Sequence, residues 1–427
     1  MKKVLFLSSR LPFPICGGRE SMLVQYLQYY SDGGAEIYFF AMERGGREKS
    51  DAAESLKKMV AGIKEIHLLP LPGIAASLYN VILHSLLLSR KSIQESFFFS
   101  GDLQRRVLCE AQRIEPDIIF CDMLRTAQYF EGCPKVDARR IFGMDDILSD
   151  RYRSFLDNPE INILGNFVAK VPRFLDVVAN TLLRKAILKT EAERIRNREI
   201  ECIRSYDHTI VISPTEAKEM RARSGRSTVS HIYPAVQLAK TGEDAGATSF
   251  PSLSFMGLLN IPHNEKGLCY FLDKVFPIVV SKVPDVRFLI IGGNATTAVK
   301  ELASRMPRNV ELLGYVEDFV ATISSTAVFV NPVYFGTGIK TKVVEVMNIG
   351  VPVVTTPVGA EGLHVTHGRE LLIGKSDSEF VENIITLLRN RELRRSVSIH
   401  AKEYIRKYHD RDVVSQQFME IVSGFSA

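Results

Sequence analysis

VNPVYFGTGIKTKVVEVMNIGVPVVTTPVGAEG, Val330–Gly362, decides the fold of this 427-residue chain. A β-branched and aromatic run leads into a glycine loop. A helix-like segment follows, then a second strand-like run, Pro352–Thr356, and another glycine turn. That order is half of a β-α-β unit, with its most polar residues gathered at the strand-to-helix turn. Gly336-Thr337-Gly338 falls where a chain turns tightly and bares backbone N–H groups. Lys340 and Glu345 follow on the opening turns of the helix. An anion over such a loop would meet a helix N-terminus and a lysine together. An ordinary glycine turn followed by a solvated Lys and Glu fits the same residues equally well, and a lone GxG does not choose between them.

At this length two domains of ordinary size are expected rather than one core. A hydrophobic fraction of 46% and a charged fraction of 24% describe a globular chain, neither disordered nor fibrous. The net charge of +5 is mild, compatible with anionic substrates or an anionic lipid surface without demanding either. Six cysteines without a CxxC pair argue against zinc and a disulfide framework, and for a reducing compartment. MKKVLFLSS at the start reads as a buried first strand rather than a secretory signal. Ile74–Leu88, the most apolar window, is interrupted by Asn80 and His84 and is shorter than the roughly 20 residues that span a bilayer. It reads as a core helix or one lying on the surface.

Outward from the opening stretch the same rhythm recurs. Val4–Ser8 is a strand, followed by Gly17-Gly18 and a helical pattern over Ser21–Tyr30, a second candidate cradle for phosphate or sugar. Ala35–Ala41, Glu65–Leu69, the buried run Pro116–Phe120 and Arg140–Met144 continue the first half, the last leading into Asp145-Asp146. Paired aspartates after a short strand either face a cleft or cap the next helix. Phe167–Lys189 sets Arg184, Lys185 and Lys189 among leucines, either an amphipathic basic surface or the outward faces of packed helices. Gln237–Pro251 is small, polar and linker-like. Beyond it, short apolar strands end at Gly257, Gly292 and Gly314 and alternate with helices, as in a parallel sheet covered on both faces. Asp377–Tyr408 reads as one long charged helix, and Arg411–Val422 as an amphipathic one.

Asn331–Leu363, NPxxxGTGIKxKxxExMxxGxPVVTTxxGAEGL, resembles the donor-site signature of the retaining family 4 glycosyltransferases, and within them a bacterial polysaccharide-biosynthesis branch. Phe255-Met-Gly257 with Asn264, Lys266-Gly267, Leu289–Gly293, Leu313–Val316 with Asp318, Gly17-Gly18, and Asp145–Ser149 with Arg151-Tyr152 agree with that branch. The resemblance implies an α/β fold of two Rossmann-like domains facing across a cleft (GT-B), with a C-terminal helix crossing back to the first domain. The expected organisation is an acceptor-side domain over 1–237 with helical insertions, a nucleotide-sugar domain over 238–408, and the crossover helix over 409–427. It also implies retention of anomeric configuration, no metal and no other cofactor, so Asp145-Asp146 is not read as a metal site.

The expected chemistry is transfer of a sugar from a nucleoside-diphosphate sugar to a glycan, glycolipid or other hydroxyl acceptor in surface polysaccharide biosynthesis. Charge grows on the departing diphosphate, so fixed donors around it matter most. Donor binding is assigned to Gly257, Lys266, Gly292, Tyr315, Val316, Gly336, Gly338, Lys340 and Glu345, with Lys340 on the diphosphate and Glu345 on the ribose hydroxyls. Catalytic roles fall to Asp145, Asp146, Lys340 and Thr337, and the acceptor side to Gly17, Gly18, Arg19 and Arg151, with Arg10 as a further anion contact. Thr337 stands where many members carry the first of two glutamates seven residues apart, and Ile232–Val236 lacks the frequent NGVD. A cytoplasmic or membrane-peripheral protein is expected, the latter at the inner face of the membrane, without a nucleic-acid partner. The alternatives are a nucleotide-sugar epimerase or phosphorylase of the same architecture, and a non-catalytic nucleotide-sugar-binding assembly protein.

Overall fold

The structure, a computed structural model, describes residues 2–15, 17–43, 47–88, 90–131, 136–156, 184–239 and 248–424, without the side chains of 47–49. The chain divides into two compact units, Met1–Ile232 with Ser415–Ala427, and Tyr233–Val414.

The first unit is a parallel sheet of β1 (Lys3–Ser8), β2 (Glu36–Glu43), β3 (Ile63–Pro70), β4 (Ile118–Asp122), β5 (Arg139–Asp145), β6 (His208–Val211) and β7 (Val229–His231). Its order is β3-β2-β1-β4-β5-β6-β7. The second is a parallel sheet of β8 (Ser252–Met256), β9 (Arg287–Ile291), β10 (Val310–Gly314), β11 (Val328–Asn331), β12 (Val353–Thr355) and β13 (Leu372–Ile373), ordered β10-β9-β8-β11-β12-β13. Each sheet therefore has one point where the winding reverses, between β1 and β4 and between β8 and β11. Ligands of open parallel sheets bind beyond the C-terminal strand ends at that point.

The central strands read as unbroken apolar runs because helices cover both faces. Phe6 stacks on Phe120 at 4.4 Å, and Leu5, Phe6 and Leu7 are fully buried. In the second unit Phe271, Phe276 and Phe288 form the corresponding aromatic cluster. Helix entries follow local chemistry: Ser213 accepts from the Glu216 N–H while Pro214 occupies the first turn.

The C-terminal helix, Arg411–Ser423, returns to the first unit through its later turns. Phe418 stacks on Tyr26 at 5.0 Å and meets Tyr30 edge-on, and Arg139 Nη2 donates to the Ile421 carbonyl. The single helix expected over Asp377–Tyr408 is two, Asp377–Arg389 and Arg391–Tyr408. Asn390 breaks it: its backbone is extended and its Oδ1 accepts from Leu393 N at 2.9 Å, capping the second helix. Among the described residues no helix is long and apolar enough to cross a membrane.

Candidate active site

At the reversal point of the second sheet, β8 and β11 both leave through glycine-bearing turns. A Cβ on Gly292 would lie 1.8 Å from the Gly257 carbonyl oxygen, and one on Gly257 would meet the Asn264 amide at 2.8 Å. Gly267 presses on the Pro332 carbonyl in the same way, at 1.9 Å. These glycines hold strand ends and turns against one another. The loop after β11 is pinned from beneath: Asn331 Nδ2 donates to Thr355 Oγ1 at 2.9 Å, and Thr356 Oγ1 donates to the Val333 carbonyl. Gly336 and Gly338 differ in kind. Both have positive φ, 104° and 76°, and a Cβ on Gly336 would meet only the His263 side chain, at 4.0 Å. That loop is tight, open at Gly336 and buried at Gly338.

The helix Thr341–Ile349 starts behind it, with Lys340 at its N-cap rather than inside its first turn. Lys340 is buried and folds back onto the loop, its Nζ donating to the Gly338, Thr337 and Gly336 carbonyls at 2.6, 3.2 and 3.4 Å. The ammonium thus fixes the loop that carries Thr337. Lys342, a fixed letter of the signature with no role assigned to it, donates to Asn264 Oδ1 at 2.6 Å and lies 4.4 Å from the Phe255 ring centroid. Burial, with Lys340 close by, pushes its amine down to about 7. Asn264 in turn donates to the Leu258 carbonyl, so Lys342 ties the turn after β8 to the helix after β11.

Glu345 lies farther along the same helix, half-buried, its carboxyl pushed up by burial. It borders a cavity of about 620 Å³ lined by Val236, Leu238, Phe319, Val320 and Ile349. Asn348 secures one wall, donating to the Gln237 carbonyl and accepting from Ala239 N. Val316 packs on the apolar cluster holding Ile323 and Val344, whereas Tyr315 beside it is 83% exposed. Lys266 is half-buried on the helix Pro262–Tyr270, two residues past Asn264.

The reversal point of the first sheet is built from ion pairs. Asp122, fully buried at the end of β4, accepts from Ser8 Oγ at 3.0 Å and from Ser9, and pairs with Arg19. The other Nη of Arg19 reaches Asp145 at 3.1 Å. Arg19 enters from the helix Gly18–Asp32, whose N-cap is the extended Gly17. Arg10 pairs with Glu20 on the same helix at 2.8 Å. Asp145 sits at φ +69°, a left-handed conformation uncommon outside glycine, and its carboxyl is pushed up by burial against the opposing pull of Arg19.

Asp146, beside it, is buried and held by Arg151 Nε at 2.8 Å. The two aspartates therefore engage different arginines. Ser149 donates through N and Oγ to Glu199, at 3.1 and 2.6 Å, and Gln94 links Tyr152 to Arg125. Each conspicuous residue of the DDxxSxRY segment thus has a partner inside this unit.

Residues 251–390 match the family described as Glycosyl transferases group 1. The second unit is built on a group 1 glycosyltransferase domain. Over 174 residues the chain is 30% identical to an uncharacterized 44.6 kDa protein in the cps region of Klebsiella pneumoniae, covering 39% of this chain and 45% of that one. Over 221 residues it is 27% identical to a phosphatidyl-myo-inositol mannosyltransferase of Mycobacterium leprae, covering 46% and 58%. The chain spans about half the length of the curated relatives it matches. The crystal structure of Anabaena Alr3699/HepE in complex with UDP and glucose superposes with a TM-score of 0.63 at 16% identity, over 100% of both chains. That likeness is one of fold, the two-domain GT-B architecture.

Within the group 1 domain the structure gathers Gly257, Gly292, Gly336, Gly338 and Lys340 at one reversal point, with Lys342 and Asn264 added. Glu345 stands apart at the cavity. In the first unit it joins Arg19, Asp145, Asp146 and Arg151, and adds Asp122. Asp122 could have been found from its position, a carboxylate closing a buried central strand. Lys342 carried a weaker signal, a charge sandwiched between Thr341 and Val343-Val344 at the start of an apolar helix face.

Proposed function

We propose that the chain is a retaining glycosyltransferase that moves a sugar from a nucleoside-diphosphate sugar to a glycan or lipid-linked hydroxyl acceptor, in the cytoplasm at the inner face of the membrane. The observation that carries this reading is the left-handed Gly336–Gly338 loop at the β8/β11 reversal point, open at Gly336 and backed by Lys340 and Lys342 within the residues that match a group 1 domain. UDP in the superposed Anabaena structure favours a uridine nucleotide as the first to try.

Each residue has a role in this reading. The loop backbone and Lys340 take the diphosphate, whose charge grows as the bond from the anomeric carbon to its oxygen breaks. Lys266 and Lys342 add positive charge nearby. Glu345 accepts hydrogen bonds from the ribose hydroxyls, while Val316 and Tyr315 border the base. Thr337 positions the sugar through its hydroxyl and backbone, since it offers no carboxylate to act as a nucleophile. On the acceptor side Gly17 and Gly18 shape the loop that presents Arg19. Asp145 orients the acceptor hydroxyl, whose oxygen bonds to the anomeric carbon while its proton passes to a carboxylate or to the departing diphosphate. Asp146 acts through Arg151, which it holds. The acceptor-side domain comprises 1–237, the donor domain 238–408, and the crossover helix 409–427.

A donor panel read by mass spectrometry tests this. Release of a nucleoside diphosphate from at least one nucleotide sugar, with an α-linked product from an α-linked donor, is the expected result. Isomerised sugar nucleotide without transfer would instead point to an epimerase. No turnover of any donor by folded protein, with or without acceptor, would overturn the reading.

A further inference from the structure

Ile74–Leu88 folds with its polarity reversed. The helix Ile74–Asn80 runs into a π-helical segment, Val81–Leu87. Ser77 and Ser85 are its fully buried residues, Ser85 bonded to Ser96 at 2.8 Å, and Asn80 Nδ2 donates to the Phe99 carbonyl. The apolar residues point outward: Tyr79 is 64% exposed, Leu86 59% and Leu87 72%, with Ile74, Ile82 and Leu88 exposed beside them. Tyr79, Ile82 and Leu86 recur at helical spacing, so they form one ridge rather than scattered contacts. An exposed contiguous apolar ridge on a packed element marks an interaction surface.

Charge identifies the occupant. From Ile66 to Gln94 the sequence carries no acidic residue, and exposed Arg90 followed by Lys91 closes the ridge at its C-terminal end. Ile93 N, next along, donates to Glu191 at 2.7 Å on the helix Arg184–Ser205, which fixes the C-terminal end of this segment. An aliphatic and tyrosine ridge free of acidic residues and closed by cations at one end, about 20 Å long at a helical rise, suits a helix lying in a headgroup layer and is too short to cross one. We propose that the Ile74–Leu88 ridge docks this chain onto an anionic lipid bilayer, its aliphatic side chains entering the acyl boundary and Arg90 meeting headgroups.

This places the membrane contact of the proposed function on a named surface, and its test does not depend on catalysis. Full-length protein is floated with phosphatidylcholine vesicles and with vesicles containing phosphatidylglycerol, at low and high salt, beside the Leu86→Glu/Leu87→Glu double variant and Arg90→Ala. The wild type is expected to float with anionic vesicles and to be partly released by salt. The double variant is expected to lose at least roughly tenfold in partitioning, because two charges replace the inserting side chains. Arg90→Ala is expected to lose less and to become less salt-sensitive. Unchanged nucleotide binding by the double variant shows that its fold is intact. Equal flotation of wild type and double variant, absence of wild-type flotation at either salt, or a wild-type dimer that the double variant converts to monomer would each overturn the proposal. The last result would assign the ridge to a second copy.

Discussion

The two sheets reverse their winding at equivalent places, yet the side chains gathered there follow opposite rules. After β8 and β11 the residues are glycines and lysines, and the charge of Lys340 and Lys342 is met by neutral carbonyl and amide oxygens. After β1 and β4 the residues are arginines and aspartates, each matched to the other: Arg19 to Asp122 and Asp145, Arg151 to Asp146. The Lys342 amine, pushed down to about 7 by burial with Lys340 close by, would regain its proton against an incoming polyanion. The arginine site pairs its charges internally, with Arg19 Nε and Nη1 buried and without a hydrogen bond, and Asp145 sits within it on a left-handed backbone. We propose the β8/β11 reversal point as the anion site and the β1/β4 one as the frame that positions Asp145.

The sharpest way to break that contrast is Asp122→Ala. Removing a buried carboxylate that pairs with Arg19 and accepts from Ser8 and Ser9 leaves the serine donors unmatched and Arg19 to Asp145, and a loss of about 3 kcal/mol in stability is expected by denaturant unfolding of the first unit. A loss below about 1 kcal/mol would mean that the ion pairs are not a frame. Lys340→Ala is the counterpart. It should lower kcat by roughly 10²–10³-fold, the scale of losing one preorganised donor to a leaving group, with little change in melting temperature. Near-wild-type turnover would remove Lys340 from the leaving-group role.

The pH dependence of Lys342 sharpens the contrast further. Its amine is pushed down to about 7 on folding, so above that pH the unfolded chain binds its proton more readily than the folded one. This residue's contribution to stability should therefore rise between about pH 7 and the unfolded lysine value of about 10.4, by up to about 1.4 kcal/mol per pH unit, and disappear in Lys342→Met. A bound diphosphate reverses the shift. Nucleotide affinity should weaken as pH rises above about 7, and calorimetry at pH 8 in buffers of different ionisation enthalpy should show proton uptake that Lys342→Met lacks. No difference in proton uptake would detach Lys342 from the diphosphate.

The smallest effect belongs to Tyr315. An exposed ring bordering a base should contribute about 1 kcal/mol by stacking, so Tyr315→Ala is expected to raise the nucleotide Kd about fivefold.

Much of this was legible in the chain before any coordinate. Short apolar runs ending at Gly257, Gly292 and Gly314 announce a parallel sheet: the first two lie where strand ends pack too closely for a Cβ, and Gly314 turns at a left-handed φ of 69° in open space. The Gly336–Gly338 loop and its following helix were equally plain. What stayed hidden depends on partners distant in sequence. Lys342 looks like a surface charge until Asn264, 78 positions away, accepts from it. Asp122 looks like a strand terminus until Arg19, 103 positions away, closes on it. The break at Asn390 was local and readable, since an Asn followed by Arg-Glu-Leu is a helix start, but the continuous charge pattern on either side obscured it. Within the basic surface expected over Phe167–Lys189, Phe167–Leu183 lie outside the described residues, whereas Arg184, Lys185 and Lys189 stand on the helix beginning at Arg184.

The claim that organises this account is that the Gly336–Gly338 loop, with Lys340 and Lys342 behind it, is a diphosphate site. Isothermal titration of the folded protein with UDP, GDP and ADP at pH 7 addresses it directly. Saturable one-to-one binding of at least one of them, weakened at least roughly tenfold by Lys340→Ala, is the predicted result. Absence of binding to all three nucleotides, or binding that Lys340→Ala leaves unchanged, would contradict it.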